Sequence, residues 1–402
     1  MSKEPPAYSE WVQHTQIRNP LHTITIRVAE LTTSSGLSVE IAYSTEERTW
    51  QENLAKCPAA TAFQSYPWAT AYHAALNDIP IFVYVRDEHD DIVAQLLLFV
   101  INQYERETPP YNRILRYVPS HLAVGTRVLW QYGPLIQKKS DASRITDAIL
   151  DAVLNIAKEW SATQIYGTSS PLVDHSPRSL SAYKTRGFLV RNWGTFITDT
   201  GRTLDQIWAS LDKKARNDVR RAEKELTIKD VESEDELRDF AALLTKFNRT
   251  KRGIVHAEEA ALRYYKAFWK HLHVLDREPF QAYRQFLTYR GDQAVAGLVI
   301  NSLNGNVTQH SVISDGSRSN LGGPLLTWHA IRWSNTFGSK TLDLVGVNPL
   351  SSDSKERAIY FYKSKWAGTF RDQYHFIMVR DRFKDRIFLA SNLVQRAIWR
   401  LQ

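Results

Sequence analysis

The sequence predicts an α/β fold that occurs twice in the chain. In each half, a β-hairpin is followed by a glycine-containing turn, an amphipathic helix and a buried strand. The hairpins are predicted at 79–102 and 285–302. The chain of 402 residues also exceeds the roughly 250–300 residues that one hydrophobic core usually serves. We therefore expect two similar domains packed together.

The composition is typical of a globular protein and gives no sign of a disulfide-linked, membrane-spanning or metal-binding chain. A hydrophobic content of 43% is ordinary for a globular chain, and the single cysteine, Cys57, cannot form an internal disulfide. No apolar run is long enough to cross a bilayer, and the N-terminus lacks the apolar region of a signal peptide. These features predict a cytoplasmic protein. Cysteines, histidines and carboxylates are nowhere spaced as metal ligands, so no metal site is expected.

The charge is distributed unevenly. Residues 1–200 hold 18 Lys/Arg and 20 Asp/Glu, whereas residues 201–402 hold 33 and 23. The formal charges of the two halves are therefore −2 and +10. A basic second half favours an anionic partner, such as a nucleotide, a nucleic acid or a lipid headgroup.

Other elements follow from local signals. Residues 1–20 are polar and predicted to be loose, and strands are predicted at 22–28, 40–43 and 116–119. Thr203 with Gln206 forms a capping box before an apolar stripe over 204–222, which predicts one helix. Ser233 with Glu236 forms a second capping box, which predicts a helix through residue 247.

The most informative stretch is 321–368. Gly322 and Gly323 precede a helix that Gly338 ends, and an apolar strand containing Asp343 follows. A glycine pair before a helix lets backbone N–H groups approach an anion at the positive helix end. The alternative is a tight turn into a helix with proline in its first turn. Asp343 would be costly in such a strand unless it is paired.

Two basic segments lie upstream of this stretch. Six basic residues occupy a predicted helix over 213–224, in which Arg216 and Arg220 share a face. This face is either a phosphate-binding ridge or a solvated, salt-bridged surface. Arg249 and Arg252 lie in a basic turn, which would border a substrate cleft or complement a helix dipole.

These features in order resemble the FemABX peptidyltransferases, which are built from acetyltransferase-like (GNAT) domains. The resemblance rests on the basic helix, the glycine turn with its aromatic-rich helix, the strand around Asp343, and the aromatic, lysine-bearing segment 359–368, and it extends over residues 45–380. It implies tandem GNAT-like domains at 21–195 and 196–381, after a flexible N-terminus at 1–20. No heptad run interrupts 203–380, so the coiled-coil arm of longer family members is not expected.

The resemblance also implies which residues act. Tyr362 and Lys363 match the aromatic-plus-lysine pair that lies near the reacting carbonyl, and the ammonium would stabilise the oxyanion from a wet cleft. The alternative is that Lys363 and Lys365 bracket a strand entry and extend into solvent. The residues expected to bind substrate are Arg216, Arg220, Arg249, Arg252, Tyr360, Gly322, Gly323 and Asp343.

The implied function is transfer of an aminoacyl group from aminoacyl-tRNA to an amine of a peptidoglycan peptide precursor, in cell-wall biogenesis and without a further cofactor. One alternative is an acyl-CoA-dependent N-acyltransferase acting in polysaccharide or lipid synthesis, in which the glycine turn holds the CoA pyrophosphate. The other is a nucleic-acid-binding protein, but no known reader motif is present and stable DNA binding is not expected.

The C-terminal segment 382–402 predicts an amphipathic helix. One face of it carries Ile387, Ala390, Val394 and further apolar residues, with two arginines off that face. The favoured interpretation is a helix that docks on a domain edge. The alternative is peripheral contact with the inner face of the membrane.

Overall fold

The computed structural model describes residues 29–32, 37–102, 124–137, 141–252, 258–272, 282–317 and 321–401. The predicted strands at 22–28 and 116–119 lie outside these ranges. The elements of the first half are β1 (Ala29–Thr32), β2 (Ser38–Ala42), α1 (Glu47–Ala55), a 3-10 turn (Ala62–Gln64), α2 (Tyr66–Leu76), β3 (Ile79–Arg86), β4 (Ile92–Ile101), β5 (Arg127–Trp130), β6 (Leu135–Ile136), α3 (Ala142–Glu159), β7 (Gln164–Thr168), α4 (Pro177–Thr185) and β8 (Leu189–Asp199).

The second half repeats this series after an N-terminal helical insertion. Both predicted capping boxes are present, at Thr203 and Ser233. The elements are α5 (Leu204–Ser210), α6 (Lys213–Glu225), β9 (Thr227–Asp230), α7 (Glu234–Phe247), a π-helical turn (Asn248–Arg252), α8 (Glu258–Leu272), β10 (Ala282–Arg290), β11 (Gln293–Leu303), β12 (Asn306–Ser314), α9 (Gly322–Thr336), β13 (Thr341–Asp343), α10 (Ser354–Lys363), β14 (Thr369–Val379) and α11 (Arg382–Leu401).

The strands form one 14-stranded sheet, in the order β1-β2-β3-β4-β5-β7-β14-β8-β13-β12-β11-β10-β9, with β6 paired to β4. The two ends of the sheet have the same pairing pattern. In the first half, β3, β4 and β5 are antiparallel neighbours and β7 is parallel to β5. In the second half, β10, β11 and β12 are antiparallel neighbours and β13 is parallel to β12.

The halves exchange their last strands at the centre of the sheet. β14 lies between β7 and β8, and β8 lies between β14 and β13, with all three pairings antiparallel. Each terminal strand therefore completes the sheet of the other half. The predicted domain boundary between residues 195 and 196 falls inside β8.

Side-chain alternation along the strands divides the core into layers. On β4, Leu97 and Phe99 face α2, α7 and α8, which share one core across both halves. Leu96 and Leu98 face the opposite side, where α3 covers the first half. The corresponding side of the second half is covered by α5, α6 and α9.

Two local predictions are wrong. The stripe over 204–222 forms two helices rather than one, because the Asp212 side chain accepts a hydrogen bond from the Lys214 N–H and begins α6. The segment before Lys363 is helical rather than a strand entry. Asp353 caps α10 by accepting from the N–H groups of Lys355 and Glu356, and that cap outweighs the β-propensity of the aromatic run.

Candidate functional site

A buried carboxylate marks the centre of the sheet. Asp343 ends β13, is only 3% exposed, and accepts three short hydrogen bonds. The donors are the Tyr132 hydroxyl at 2.7 Å, the Thr195 hydroxyl at 2.6 Å and the Val345 N–H at 2.7 Å. Burial raises the pKa of Asp343, while the hydrogen bonds from Thr195 and Tyr132 oppose that rise. Asp343, in the second half, is therefore tied to two segments of the first half: the end of β5, through Tyr132, and β8, through Thr195.

The turn after Asp343 has an unusual backbone. Val345 has a φ of +54°, a left-handed conformation that is rare for a β-branched residue. Its N–H donates to Asp343, and its carbonyl oxygen lies 2.8 Å from the Thr195 hydroxyl oxygen, whose single proton it shares with Asp343. Two hydrogen bonds between the backbones of Gly194 and Val347 close the turn against β8. Strain of this kind persists where surrounding contacts fix the backbone, and it concentrates at functional sites.

The ammonium of Lys363 lies on this turn. It donates to the carbonyl oxygens of Val345 at 3.0 Å and Gly346 at 3.2 Å. Burial lowers the pKa of Lys363 to about 8, and the negative charge of Asp343 limits that decrease. The expected wet cleft is therefore wrong for this side chain. Lys363 is a half-buried cation on the last turn of α10, aimed at the Asp343 turn.

Tyr362 faces the glycine turn. Its hydroxyl shares a 2.9 Å hydrogen bond with the Thr327 hydroxyl, which also donates to the Gly323 carbonyl at 2.9 Å. A Cβ atom at Gly323 would lie 3.7 Å from the Tyr362 hydroxyl. Burial raises the pKa of Tyr362, so the phenol is neutral at physiological pH. The structure thus brings Gly323 next to Tyr362, and Asp343 next to Lys363.

Residues 213–364, within the second half, match the family model of the acetyltransferase (GNAT) domain. Among the solved structures that match the chain, two show how far its fold is shared. FemX is 14% identical with a TM-score of 0.59 and aligns over 88% of this chain and 99% of its own. The chain has a Fem-like GNAT fold. A tandem GNAT protein from the clavulanic acid biosynthesis pathway is 11% identical with a TM-score of 0.52, covering 85% and 98%. Among curated proteins, no significant sequence match is found.

The tandem GNAT prediction is therefore confirmed. Two other predicted residues, Arg216 and Arg220, lie on α6. Arg216 is held within the helical insertion. Its guanidinium donates to the carbonyl oxygens of Ala209 and Leu211, both at 2.8 Å, and so caps α5 and fixes it to α6. Arg220, one turn further, is exposed and lies 5.5 Å from the Trp208 ring. The two arginines thus differ in their surroundings.

The remaining predicted residues are Tyr360, Arg249 and Arg252. Tyr360 is half-buried and packs on Phe196 and Phe370, with ring centroids at 5.2 and 6.0 Å, so it anchors α10 to β8 and β14. Arg249 is exposed on the π-helical turn. The side chain of Arg252 lies outside the described part of the chain.

Tyr132 is the site residue that the sequence does not reveal. It follows β5 with a φ of +52°, and burial raises its pKa, so it is a neutral donor to Asp343. The two residues are 211 positions apart, and no local motif links them. An apolar stretch that ends at a tyrosine before Gly133 is the one signal nearby.

The described residues include no group of three or more His, Cys, Asp or Glu that could hold a metal ion. They also include no helix whose length and hydropathy would let it cross a bilayer.

Proposed function

We propose that this protein is a Fem-like aminoacyltransferase, which moves an aminoacyl group from aminoacyl-tRNA to an amine of a peptidoglycan peptide precursor. The Fem-like fold over nearly the whole chain supports an acyl-transfer scaffold, and the formal charge of +10 in residues 201–402 suits a polyanionic donor. The acceptor, and transfer at the cytoplasmic face of the membrane, belong to the same proposal.

The arrangement of Lys363 is the observation that carries the proposal. An ammonium has three N–H donors, and two of them bind Val345 and Gly346 within the described structure. The third remains for a substrate oxygen. A partly desolvated cation with a pKa of about 8 is characteristic of functional sites rather than of surface lysines.

The proposed chemistry follows from this placement. The acceptor nitrogen attacks the carbonyl carbon of the aminoacyl ester, and the carbonyl oxygen becomes an oxyanion. Lys363 donates its third N–H to that oxyanion, in surroundings where a fixed charge acts more strongly than in water. Collapse of the intermediate breaks the ester C–O bond. The ribose oxygen leaves as a hydroxyl and takes up the proton that the acceptor nitrogen loses.

The Gly322–Gly323 end of α9 is proposed to receive a phosphate of the donor. It presents the positive end of a 15-residue helix, and its N-cap residue, Leu321, makes no side-chain cap. Tyr362 lies beside it, and Lys363 is the next residue along the chain. This arrangement would place a phosphate at the helix end and the reacting carbonyl at Lys363.

A donor screen tests the proposal. Purified protein is incubated with a nucleotide-linked peptidoglycan peptide precursor and either tRNA charged with labelled amino acids or labelled acetyl-CoA. We expect label to move to the peptide amine from charged tRNA only, and to be lost in Lys363→Ala but kept in Lys365→Ala. Transfer from neither donor, or transfer that Lys363→Ala leaves unchanged, would contradict the proposal.

The second candidate is an acyl-CoA N-acyltransferase acting on an amine in polysaccharide or lipid synthesis. It is favoured by the match of residues 213–364 to the acetyltransferase (GNAT) domain, because this range includes the glycine turn. In this function, the end of α9 would bind the CoA pyrophosphate. Label transfer from acetyl-CoA alone in the donor screen would establish this candidate over the first.

A further inference from the structure

The C-terminal helix α11 docks on the first half by one face. Asp381 begins it, accepting from the N–H groups of Phe383 and Lys384. Phe388 is 7% exposed, packs on Val124, and has the Arg127 guanidinium 4.2 Å from its ring centroid. The predicted docking interpretation is thus correct for this face.

The opposite face of α11 is open and largely apolar. Four large side chains on it are exposed by about half or more, at 73%, 52%, 67% and 52%: Phe383, Leu389, Leu393 and Val394. We call these four residues, with Arg382 and Arg386, the outer face of α11. The sequence predicts that Val394 and Ala390 lie on the docked side, but both are exposed, so the apolar surface is wider than the docking contact needs.

The charges on the outer face have one sign. Arg382 and Arg386 are exposed, and within the described chain neither forms an ion pair. At 100° per residue, both arginines lie between Leu389, Leu393 and Phe383 around the helix, whereas Asp381 and Asp385 lie toward the docked side. The outer face therefore combines apolar side chains with arginines and carries no carboxylate.

We infer that the outer face of α11 binds the surface of an anionic phospholipid bilayer. A helix with apolar side chains flanked by arginines lies at the boundary between headgroups and acyl chains. There the apolar side chains are buried among the acyl chains, and the arginines pair with lipid phosphates. Self-association through the same face would bring the arginines of two copies together, and this like-charge contact disfavours a dimer. The inference deepens the membrane contact that the proposed function includes, and it is tested by lipid binding rather than by transfer activity, so that either can fail without the other.

Vesicle flotation tests the inference with the full chain. We expect binding to vesicles containing phosphatidylglycerol, weak binding to pure phosphatidylcholine, and a decrease with added salt. Replacing Arg382 and Arg386 by glutamine should lower the partition coefficient about fivefold for each arginine. The double change of Leu389 and Leu393 to serine should abolish detectable binding.

An exposed leucine outside α11 provides a matched control. Leu350 is 78% exposed in the loop after β13, and Leu350→Ser should bind vesicles like the wild-type protein. Equal binding by all variants, or no binding by the wild-type protein, would overturn the inference. So would a concentration-dependent dimer in light scattering that the two leucine changes abolish, because it would show that a second copy covers the face.

Discussion

Replacement of Lys363 by methionine separates the functional from the structural contribution of this side chain. Methionine keeps the length and most of the packing but removes the charge. The pKa of Lys363 falls from 10.5 to about 8 on folding. Since one pKa unit corresponds to about 1.4 kcal/mol, holding the charged form in the folded protein at pH 7 costs about 3 kcal/mol, a penalty that methionine does not incur.

The loss of the hydrogen bonds of Lys363 opposes this gain in stability only partly, because just one carbonyl oxygen is left without any donor. The Val345 carbonyl still shares the Thr195 hydroxyl proton with Asp343, so Gly346 is the acceptor left without any donor, at a cost of about 1–3 kcal/mol. The free energy of unfolding of Lys363→Met should therefore be unchanged or higher by up to about 2 kcal/mol. Turnover should fall about a hundredfold or more, because the oxyanion loses its fixed donor.

The assay pairs urea unfolding with single-turnover transfer rates. Wild-type stability should rise as pH increases from about 8 to 10.5, because the unfolded chain holds the lysine proton more tightly, and Lys363→Met should lack this rise. Lys365→Met, two residues away, is the control and should change neither quantity much. A Lys363→Met protein that is destabilised by several kcal/mol but turns over normally would show that the lysine is structural.

Other variants test the surroundings of the site. The pKa of Asp343 is raised, so its contribution to the free energy of unfolding should fall as pH rises from 3.8. Urea unfolding of Asp343→Asn should lack this pH dependence. The same pH dependence in the variant and the wild-type protein would contradict this prediction. Gly323→Ala should keep wild-type stability, since its Cβ meets only an ordinary 3.7 Å contact, yet weaken donor binding; unchanged binding would remove the anion role. Gly194→Ala, whose Cβ would lie 2.1 Å from the Phe370 ring, should instead lower the melting temperature. Arg216→Ala should destabilise the fold by about 1–2 kcal/mol through loss of the α5 cap, whereas Arg220→Ala should leave stability unchanged and reduce the salt slope of tRNA binding by about one; the reverse pattern would refute these roles.

Local signals predict much of the fold. The capping boxes at Thr203 and Ser233 form as expected, and Gly338 ends its helix at a φ of +77°. The hairpins at 79–102 and 285–302 are formed by β3 with β4 and β10 with β11. Each of these features depends on residues within a few positions of one another, so a sequence read along the chain contains the necessary information.

The site depends on contacts that the chain order conceals. The Tyr132 hydroxyl donates to Asp343 across 211 positions, although three strands separate β5 from β13 in the sheet. No periodicity encodes that pairing. Only the family resemblance indicates Lys363, and its two carbonyl partners depend on the left-handed turn at Val345, a conformation that a β-branched residue does not suggest.

The pH dependence of the single-turnover rate, compared between the wild-type protein and Lys363→Arg, tests the role of the ammonium most directly. The wild-type rate should fall as pH rises through about 8, because the ammonium loses the proton that it donates to the oxyanion. Lys363→Arg should be slow, because a planar guanidinium fits a point-charge position poorly. Its rate should not fall above pH 8, because a guanidinium does not titrate in this range. A wild-type rate that rises through pH 8, or the same decline in Lys363→Arg, would contradict catalysis by the Lys363 ammonium.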